Sequence, residues 1–365
     1  MNIPNRPLQE GVAATATPRI EIAPGYSVSR LLKGGWQLAG GHGPVDRAAA
    51  LEDMARFVEA GMTTFDCADI YTGVEALIGE FLRNRRDRPA IQVHTKYVPD
   101  LDTLETLTRR DVEMAIARSL TRLGVERLDL VQFHWWDYKV PRYVEVATWL
   151  DGCRRAGQIA HLGVTNCDTE HLRELITAGV SLVSHQVQYS VMDRRPSAAM
   201  TALCQEQGVH LLCYGGIAGG FLSDRYLDQA APVAPLDNRS LVKYRLIIDE
   251  FGGWDRFQAL LRVLRAIADR HGVSISAVAL RWVLDQPRVA GVIVGARHAG
   301  HVADLRQVAS LTLTPADRSE ITQAQDEAPG PSGDVYELER VRGGVHGAIM
   351  RYTLNAVPTR PLDRC

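Results

Sequence analysis

Four residues carry the first chemical signal in this chain. Asp66 closes the apolar run that begins at Thr63, and Tyr71 follows shortly after it. Lys96 closes the run Ile91 to Thr95, and His134 follows the run Leu128 to Phe133. A carboxylate, a phenol, an ammonium and an imidazole gathered at strand ends can deliver a proton to a carbonyl oxygen. A free tyrosine, with a pKa of about 10, is a sluggish donor near neutrality. An adjacent ammonium favours the phenolate, so Lys96 is expected to lower the pKa of Tyr71. Asp66 would hold Lys96 charged and in place. His134 would orient the carbonyl by hydrogen bonding or share the proton with Tyr71. Taken singly, these are a buried ion pair, a rim aromatic and a core histidine; it is their order on successive strands that argues for a site.

Such a set needs a scaffold that brings strand ends together. Strand-like runs near 31–38, 63–66, 91–96, 128–134, 159–165, 182–188, 210–214 and 291–294 alternate with helical periodicity. Asp46 can cap a helix carrying Leu51, Met54, Phe57 and Val58, closed by Gly61. Val112, Ile116, Leu120 and Leu123 mark another, closed by Gly124, and Leu172, Leu175 and Ile176 a third. Strands joined in this way predict one (β/α)8 barrel of parallel strands, with its chemistry on the C-terminal strand ends and the loops after them. An open doubly wound sheet is disfavoured, because no G-x-G-x-x-G follows an early strand.

The barrel is expected over 26–330, after a mobile arm over 1–25 that is rich in Pro, Ala and Thr and before a C-terminal extension over 331–365. That extension either packs over the barrel mouth or is partly disordered; its Glu337-Leu338-Glu339-Arg340 reads as a solvated helix or turn. The regular spacing fails between Gly215 and Trp254, which marks a long functional loop carrying Gly215, Gly216, Gly219 and Gly220.

In this order the motifs resemble the aldo-keto reductase superfamily, over roughly residues 30–325. The likeness rests on Asp66, Tyr71, Lys96 and His134, on Gly163-Val164-Thr165-Asn166, on Gln186 and Tyr214, and on Gly220-Phe221-Leu222-Ser223-Asp224-Arg225-Tyr226. It is nearer to the branch that contains potassium-channel β-subunits and bacterial oxidoreductases than to the aldose reductases. The resemblance implies a TIM-barrel enzyme in which a nicotinamide gives hydride to an aldehyde or ketone and Tyr71 protonates the developing alkoxide. Oxidation of a sugar or alcohol would use the same residues in reverse. A nucleotide-binding auxiliary subunit with weak turnover is the alternative from another class.

The resemblance also implies cofactor contacts. Asn166 and Gln186 would hold the nicotinamide carboxamide, with Thr165 where the family usually has Ser, and Tyr214 would stack on the nicotinamide ring. Gly215 and Gly216 replace the usual Ser-Pro, so backbone amides would take over a lost hydroxyl contact to the pyrophosphate. Arg225, Gly295, Arg297 and His301 would complete the cofactor site. Arg297 would supply a guanidinium for a 2′-phosphate, which favours NADP(H) over NAD(H), with NAD(H) still admitted. The family's adenine-side asparagine is Leu305 here. Trp36, with Trp135 and Trp136 after His134, would wall the substrate pocket.

Composition bounds the rest. With 41 basic and 43 acidic residues among 365, the formal net charge of −2 gives no support for a nucleic-acid partner. No run approaches the roughly 20 apolar residues of a membrane helix, and the N-terminus carries no apolar signal region. The six cysteines are scattered without a C-x-x-C, which reads as free thiols and makes the cytoplasm the default. No H-E-x-x-H or Cys/His cluster suggests a metal, and no G-x-S-x-G elbow appears. The expected partner is a small carbonyl or alcohol; the oligomeric state stays open.

Overall fold

The structure, a computed structural model, describes residues 17–355 apart from 84, 86, 87, 296, 297 and 329. Eight parallel strands close into a barrel: β3 (Leu31–Gly34), β4 (Thr64–Asp66), β5 (Gln92–Tyr97), β6 (Leu128–Phe133), β7 (Ile159–Thr165), β8 (Leu182–Gln188), β9 (His210–Tyr214) and β10 (Val289–Val294). The strands pair in sequence order, and β10 returns to β3, so the expected (β/α)8 barrel is the fold. Side chains alternate along each strand. On β6, Leu130 lies in the barrel interior with Leu32, Leu212 and Ala290, whereas Val131 and Phe133 pack outward against the helices. Two residues beyond Leu130 comes Gln132, and two beyond that His134. The inward face thus turns from apolar to polar as the strand nears its C-terminal end.

The surrounding helices follow the expected punctuation. Asp46 caps α1 (Arg47–Glu59) by accepting from the Ala49 amide at 3.1 Å. Helices α2 (Val74–Arg83) and α3 (Arg109–Leu123) follow, and α3 carries a Thr108–Asp111 capping box and ends at Gly124 with φ 65°. Then come α4 (Tyr143–Arg155), α5 (Thr169–Thr177) and α6 (Ala199–Gln207). The connection after β9 is not free of structure. It contains α7 (Arg239–Glu250), capped by Asn238, ahead of α8 (Trp254–His271) and α9 (Ile275–Leu284). Helices α10 (Val302–Ser310) and α11 (Pro315–Asp326) close the ring.

The N-terminal flank differs from expectation, whereas the C-terminal one follows one of its two expected courses. The arm expected over 1–25 is ordered from β1 (Arg19–Ala23), which pairs antiparallel with β2 (Tyr26–Ser29); residues 1–16 lie outside the described part. Ile22 and Val28 from this hairpin pack against Leu32, Leu130, Leu212 and Ala290 and plug the barrel's N-terminal end. The C-terminal extension crosses the opposite end. Asp334 accepts from the Thr169 amide at 2.8 Å, a short helix α12 (Glu337–Arg340) follows, and Tyr352 and Asn355 bond to the loop after β5. No helix among the described residues is long and apolar enough to cross a membrane.

Candidate active site

Asp66 is the hub of the polar cluster at the barrel mouth. Its Oδ2 accepts from Lys96 Nζ at 2.7 Å, while its Oδ1 accepts from Gln186 Nε2 at 2.6 Å and Gln132 Nε2 at 3.2 Å. The register explains the convergence: Lys96 pairs with Gln132 across β5 and β6. A buried carboxylate is tolerated only when its lone pairs are met this fully. Lys96 also donates to the Cys67 carbonyl at 2.8 Å. Burial pushes the Lys96 pKa down, but the Asp66 carboxylate and the Tyr71 phenol more than offset this, and the net shift is upward. Lys96 is an ammonium.

Tyr71 stands on the loop after β4, with Lys96 Nζ 5.3 Å from its ring centre and the Trp36 ring 5.1 Å away. Its pKa is raised, not lowered as expected from its neighbour. Burial of the phenolate is the largest cause and outweighs the pull of Lys96. The hydroxyl therefore keeps its proton, which suits a donor better than a base.

His134 is 3 % exposed, and its Nδ1 lies 3.2 Å from the Thr165 carbonyl oxygen. A carbonyl only accepts, so Nδ1 carries the hydrogen, as the hydrogen-bond partner assigns it. Burial, with the Arg340 charge second, pushes the His134 pKa down to about 3. The ring is neutral and Nε2 is bare, buried and without a partner among the described residues. A bare Nε2 accepts a hydroxyl hydrogen; it cannot donate to a carbonyl, so of the two roles expected for His134 only proton sharing fits.

His94 and His185 are also buried, and burial likewise pushes each down to about 3. An unfolded histidine titrates near 6.5, so the unfolded chain takes up these protons first as the pH falls. The stability each contributes is complete above about pH 6.5 and is lost progressively on the way to about pH 3. At pH 5 the loss is about 2 kcal/mol per histidine. Denaturant unfolding at pH 7.5 and 5 checks this: His185→Gln should lose about 2 kcal/mol less than wild type between the two. Equal losses would show that His185 is not held neutral.

The nicotinamide-side residues form a second cluster. Tyr214 donates its hydroxyl to Asn166 Oδ1 at 2.7 Å. Asn166 has φ 56°, a left-handed backbone rare outside glycine. Thr165 Oγ1 is buried with no partner among the described residues. The Gln186 amide nitrogen spends one of its two hydrogens on Asp66, which leaves its carbonyl oxygen and one N–H for a carboxamide. Gly215 also has a steric reason to be glycine. Its φ is +77°, and a Cβ there would lie 2.6 Å from the Tyr244 hydroxyl oxygen. A Cβ on Gly219 would meet the same ring at 2.7 Å. Both glycines make room for Tyr244 of α7, while a Cβ on Gly216 would meet Leu280 at 3.0 Å.

The remaining expected residues are more dispersed. Gly295 lies against the Gln37 side chain, and His301 is exposed before α10. Leu305 is buried in the apolar core. Arg225 is exposed, over the ring of its neighbour Tyr226. Arg297 lies outside the described residues. Trp36 is half-buried and donates to Ser240 at 3.3 Å beside Tyr71, which fits a pocket wall. Trp135 does not: it is 2 % exposed, and its indole donates to the Asp137 and Val140 carbonyls. The inward alternation at the end of β6 passes to His134, so Trp135 turns into the core. Trp136 takes the mouth, edge-on to His134 at 4.3 Å.

Several site residues were missed by sequence reasoning. Gln132 had a signal, since it shares an inward face with His134 two residues on. Tyr336, 5.7 Å from the His134 ring, and Lys243, 5.0 Å from the Tyr214 ring centre, had none. Glu337-Leu338-Glu339-Arg340 is not the solvated turn expected. Glu339 is 1 % exposed and pairs with Arg195 at 2.9 Å, and Arg195 in turn pairs with Asp193 at 2.7 Å. Two hollows of about 350 and 540 Å³ lie elsewhere, and neither includes Asp66, Tyr71, Lys96 or His134. Among the described residues no His, Cys, Asp and Glu group is arranged to hold a metal.

This barrel, with a protonated tyrosine beside a carboxylate-held lysine at its mouth, defines a class. The Aldo/keto reductase family profile matches residues 30–326. The chain belongs to that family, whose members are oxidoreductases of carbonyl substrates that use nicotinamide cofactors. It is 24% identical over 313 residues to an NADH-specific methylglyoxal reductase of Escherichia coli, covering 80% of this chain and 93% of that one. It is 28% identical over 290 residues to a chloroplastic pyridoxal reductase of Arabidopsis thaliana, covering 74% and 75%. A flagellar radial spoke protein of Chlamydomonas reinhardtii is 30% identical over 299 residues, covering 65% of this chain; the match spans only 56% of that protein's length. Among solved structures, the glycerol dehydrogenase of Gluconobacter oxydans superposes with a TM-score of 0.73 at 24% identity, covering 88% of this chain and 98% of that one.

Proposed function

We propose that the protein reduces an aldehyde or ketone to an alcohol with a nicotinamide cofactor, with Tyr71 as proton donor. The observation that carries this reading is the Asp66–Lys96–Tyr71 arrangement, in which a fully bonded carboxylate holds an ammonium 5.3 Å from the ring of a protonated phenol. When bound, the cofactor supplies hydride to the carbonyl carbon. Tyr71 gives its proton to the oxygen, and Lys96 stabilises the phenolate left behind. The bare Nε2 of His134 accepts from the new hydroxyl. Asn166, the Gln186 carbonyl oxygen and the unpartnered Thr165 hydroxyl fit a carboxamide and its ribose, and the half-buried Tyr214 ring offers a stacking face. Trp36, Trp136 and Tyr336 line the approach to His134 and Tyr71.

NADP(H) is the first choice of cofactor, resting on Arg297 as the guanidinium after β10, with NAD(H) the competitor. A second reading, oxidation of an alcohol, is favoured by the bare His134 Nε2, which matches a substrate hydroxyl better than a carbonyl. The test is oxidation of NADPH and NADH in parallel with a reactive aromatic aldehyde, and the reverse with the alcohol. Turnover with either cofactor is expected. Cofactor binding without turnover in either direction would point to an auxiliary subunit instead.

A further inference from the structure

The C-terminal extension places one guanidinium among the backbone carbonyls around the site. Arg340 Nη1 donates to the Trp135 and Trp136 carbonyl oxygens at 2.7 and 2.8 Å. Its Nη2 donates to the Asn166 carbonyl oxygen at 2.6 Å and the Tyr138 hydroxyl at 3.1 Å. The guanidinium carbon lies 4.1 Å from the Tyr138 ring centre. The carbonyls it grips are not arbitrary. Trp135 and Trp136 directly follow His134. Asn166 directly follows Thr165, whose carbonyl fixes the His134 tautomer.

Asn166 itself needs support. A left-handed backbone at a non-glycine residue persists only where its surroundings over-determine it. Its amide is held by the Gln186 carbonyl at 2.9 Å, and Arg340 holds the other end of the residue. With the backbone fixed on both sides, its side chain meets the Tyr214 hydroxyl. We infer that Arg340 is a positioning residue of the active site, a guanidinium delivered by the extension that fixes the segments carrying His134 and Asn166. Only arginine suits this, because a planar fork can serve four acceptors at once and stack on a ring.

The extension has other anchors. Glu339 pairs with Arg195, Asp334 accepts from the Thr169 amide at the start of α5, and Leu354 and Asn355 bond to Asp100. Removing the Arg340 side chain should therefore leave the extension docked while loosening the two loops.

The inference rests on the proposed reductase reading for its kinetic readout. The experiment compares wild type with Arg340→Ala, Arg340→Lys, Glu339→Gln and Arg342→Ala, the last removing a solvent-exposed pair with Asp137. Cofactor dissociation constants come from tryptophan quenching, kcat and KM from aldehyde reduction, and docking of the extension from limited proteolysis. Arg340→Ala is expected to lower kcat by about 10- to 100-fold, as sub-ångström misplacement of catalytic groups does. It should weaken cofactor binding severalfold while its proteolysis stays that of wild type. Millimolar guanidinium should restore part of the lost kcat, Arg340→Lys should recover little, and Arg342→Ala should match wild type. If Arg340→Ala keeps kcat and cofactor affinity within about twofold of wild type, the inference is overturned. It is equally overturned if Arg340→Ala frees the extension to the protease and Glu339→Gln reproduces every effect, since the role is then docking alone. Wild type that binds neither cofactor overturns the reductase reading, and this inference with it.

Discussion

Tyr71→Phe is expected to lower kcat for aldehyde reduction at least about a hundredfold, with the cofactor dissociation constant changed less than about twofold. The substitution removes one hydroxyl and leaves the ring that packs on Trp36 and lies beside Lys96. Among the described residues, the two other members of the cluster are poor substitutes for it. Lys96 is committed to Asp66 and the Cys67 carbonyl. His134 is neutral, with its one hydrogen on the Thr165 carbonyl. Burial raises the Tyr71 pKa, so the phenol is fully protonated across the neutral range, and Lys96 acts by stabilising the phenolate once transfer begins. Stopped-flow single turnovers and fluorescence titration separate the two quantities. A phenylalanine variant that retains a fifth or more of wild-type kcat would remove Tyr71 from the acid role.

Lys96→Met is expected to damage both stability and activity. Asp66 would keep its two amide donors but lose its charged partner, Lys96. Stranding one member of a buried ion pair costs about 3–5 kcal/mol. Activity should fall by more than the fraction unfolded explains, because the phenolate loses its counter-charge. The double variant Asp66→Asn/Lys96→Met discriminates: it removes the stranded charge, so stability should recover by more than additivity allows, while activity stays low. Urea unfolding at pH 7.5 and assays on the folded fraction measure the two. Simple additivity of the stability losses would mean that Asp66 and Lys96 do not act as a pair.

The barrel was legible because its signals are local. Strand runs of period two, helices closed by Gly124 and capped by Asp46, and the absence of a Gly-rich dinucleotide turn all act over a few residues. Asp66, Tyr71, Lys96 and His134 could be read because each sits at or just beyond a strand end, where the barrel makes function converge. What stayed hidden depends on contacts distant in sequence. The hairpin of β1 and β2 is short and gains its stability by covering Leu130 and Leu212, about a hundred and two hundred residues away. Arg340 and Glu339 look like surface charges until the fold supplies carbonyls and Arg195 around them. Nothing local announces that Gly215 also makes room for Tyr244. The net shift of the Tyr71 pKa needed the balance of burial against Lys96, which charge patterning alone does not give.

The most direct test of the central claim follows an isotope. Wild type would be incubated with an aromatic aldehyde and NADPH, or NADH, carrying deuterium at C4 of the nicotinamide, and the alcohol examined by NMR. Direct hydride transfer at this site predicts one deuterium on the carbinol carbon, derived from a single face of the nicotinamide. Cofactor bound at the site with no deuterated alcohol formed, or alcohol formed with only solvent hydrogen on that carbon, would contradict it.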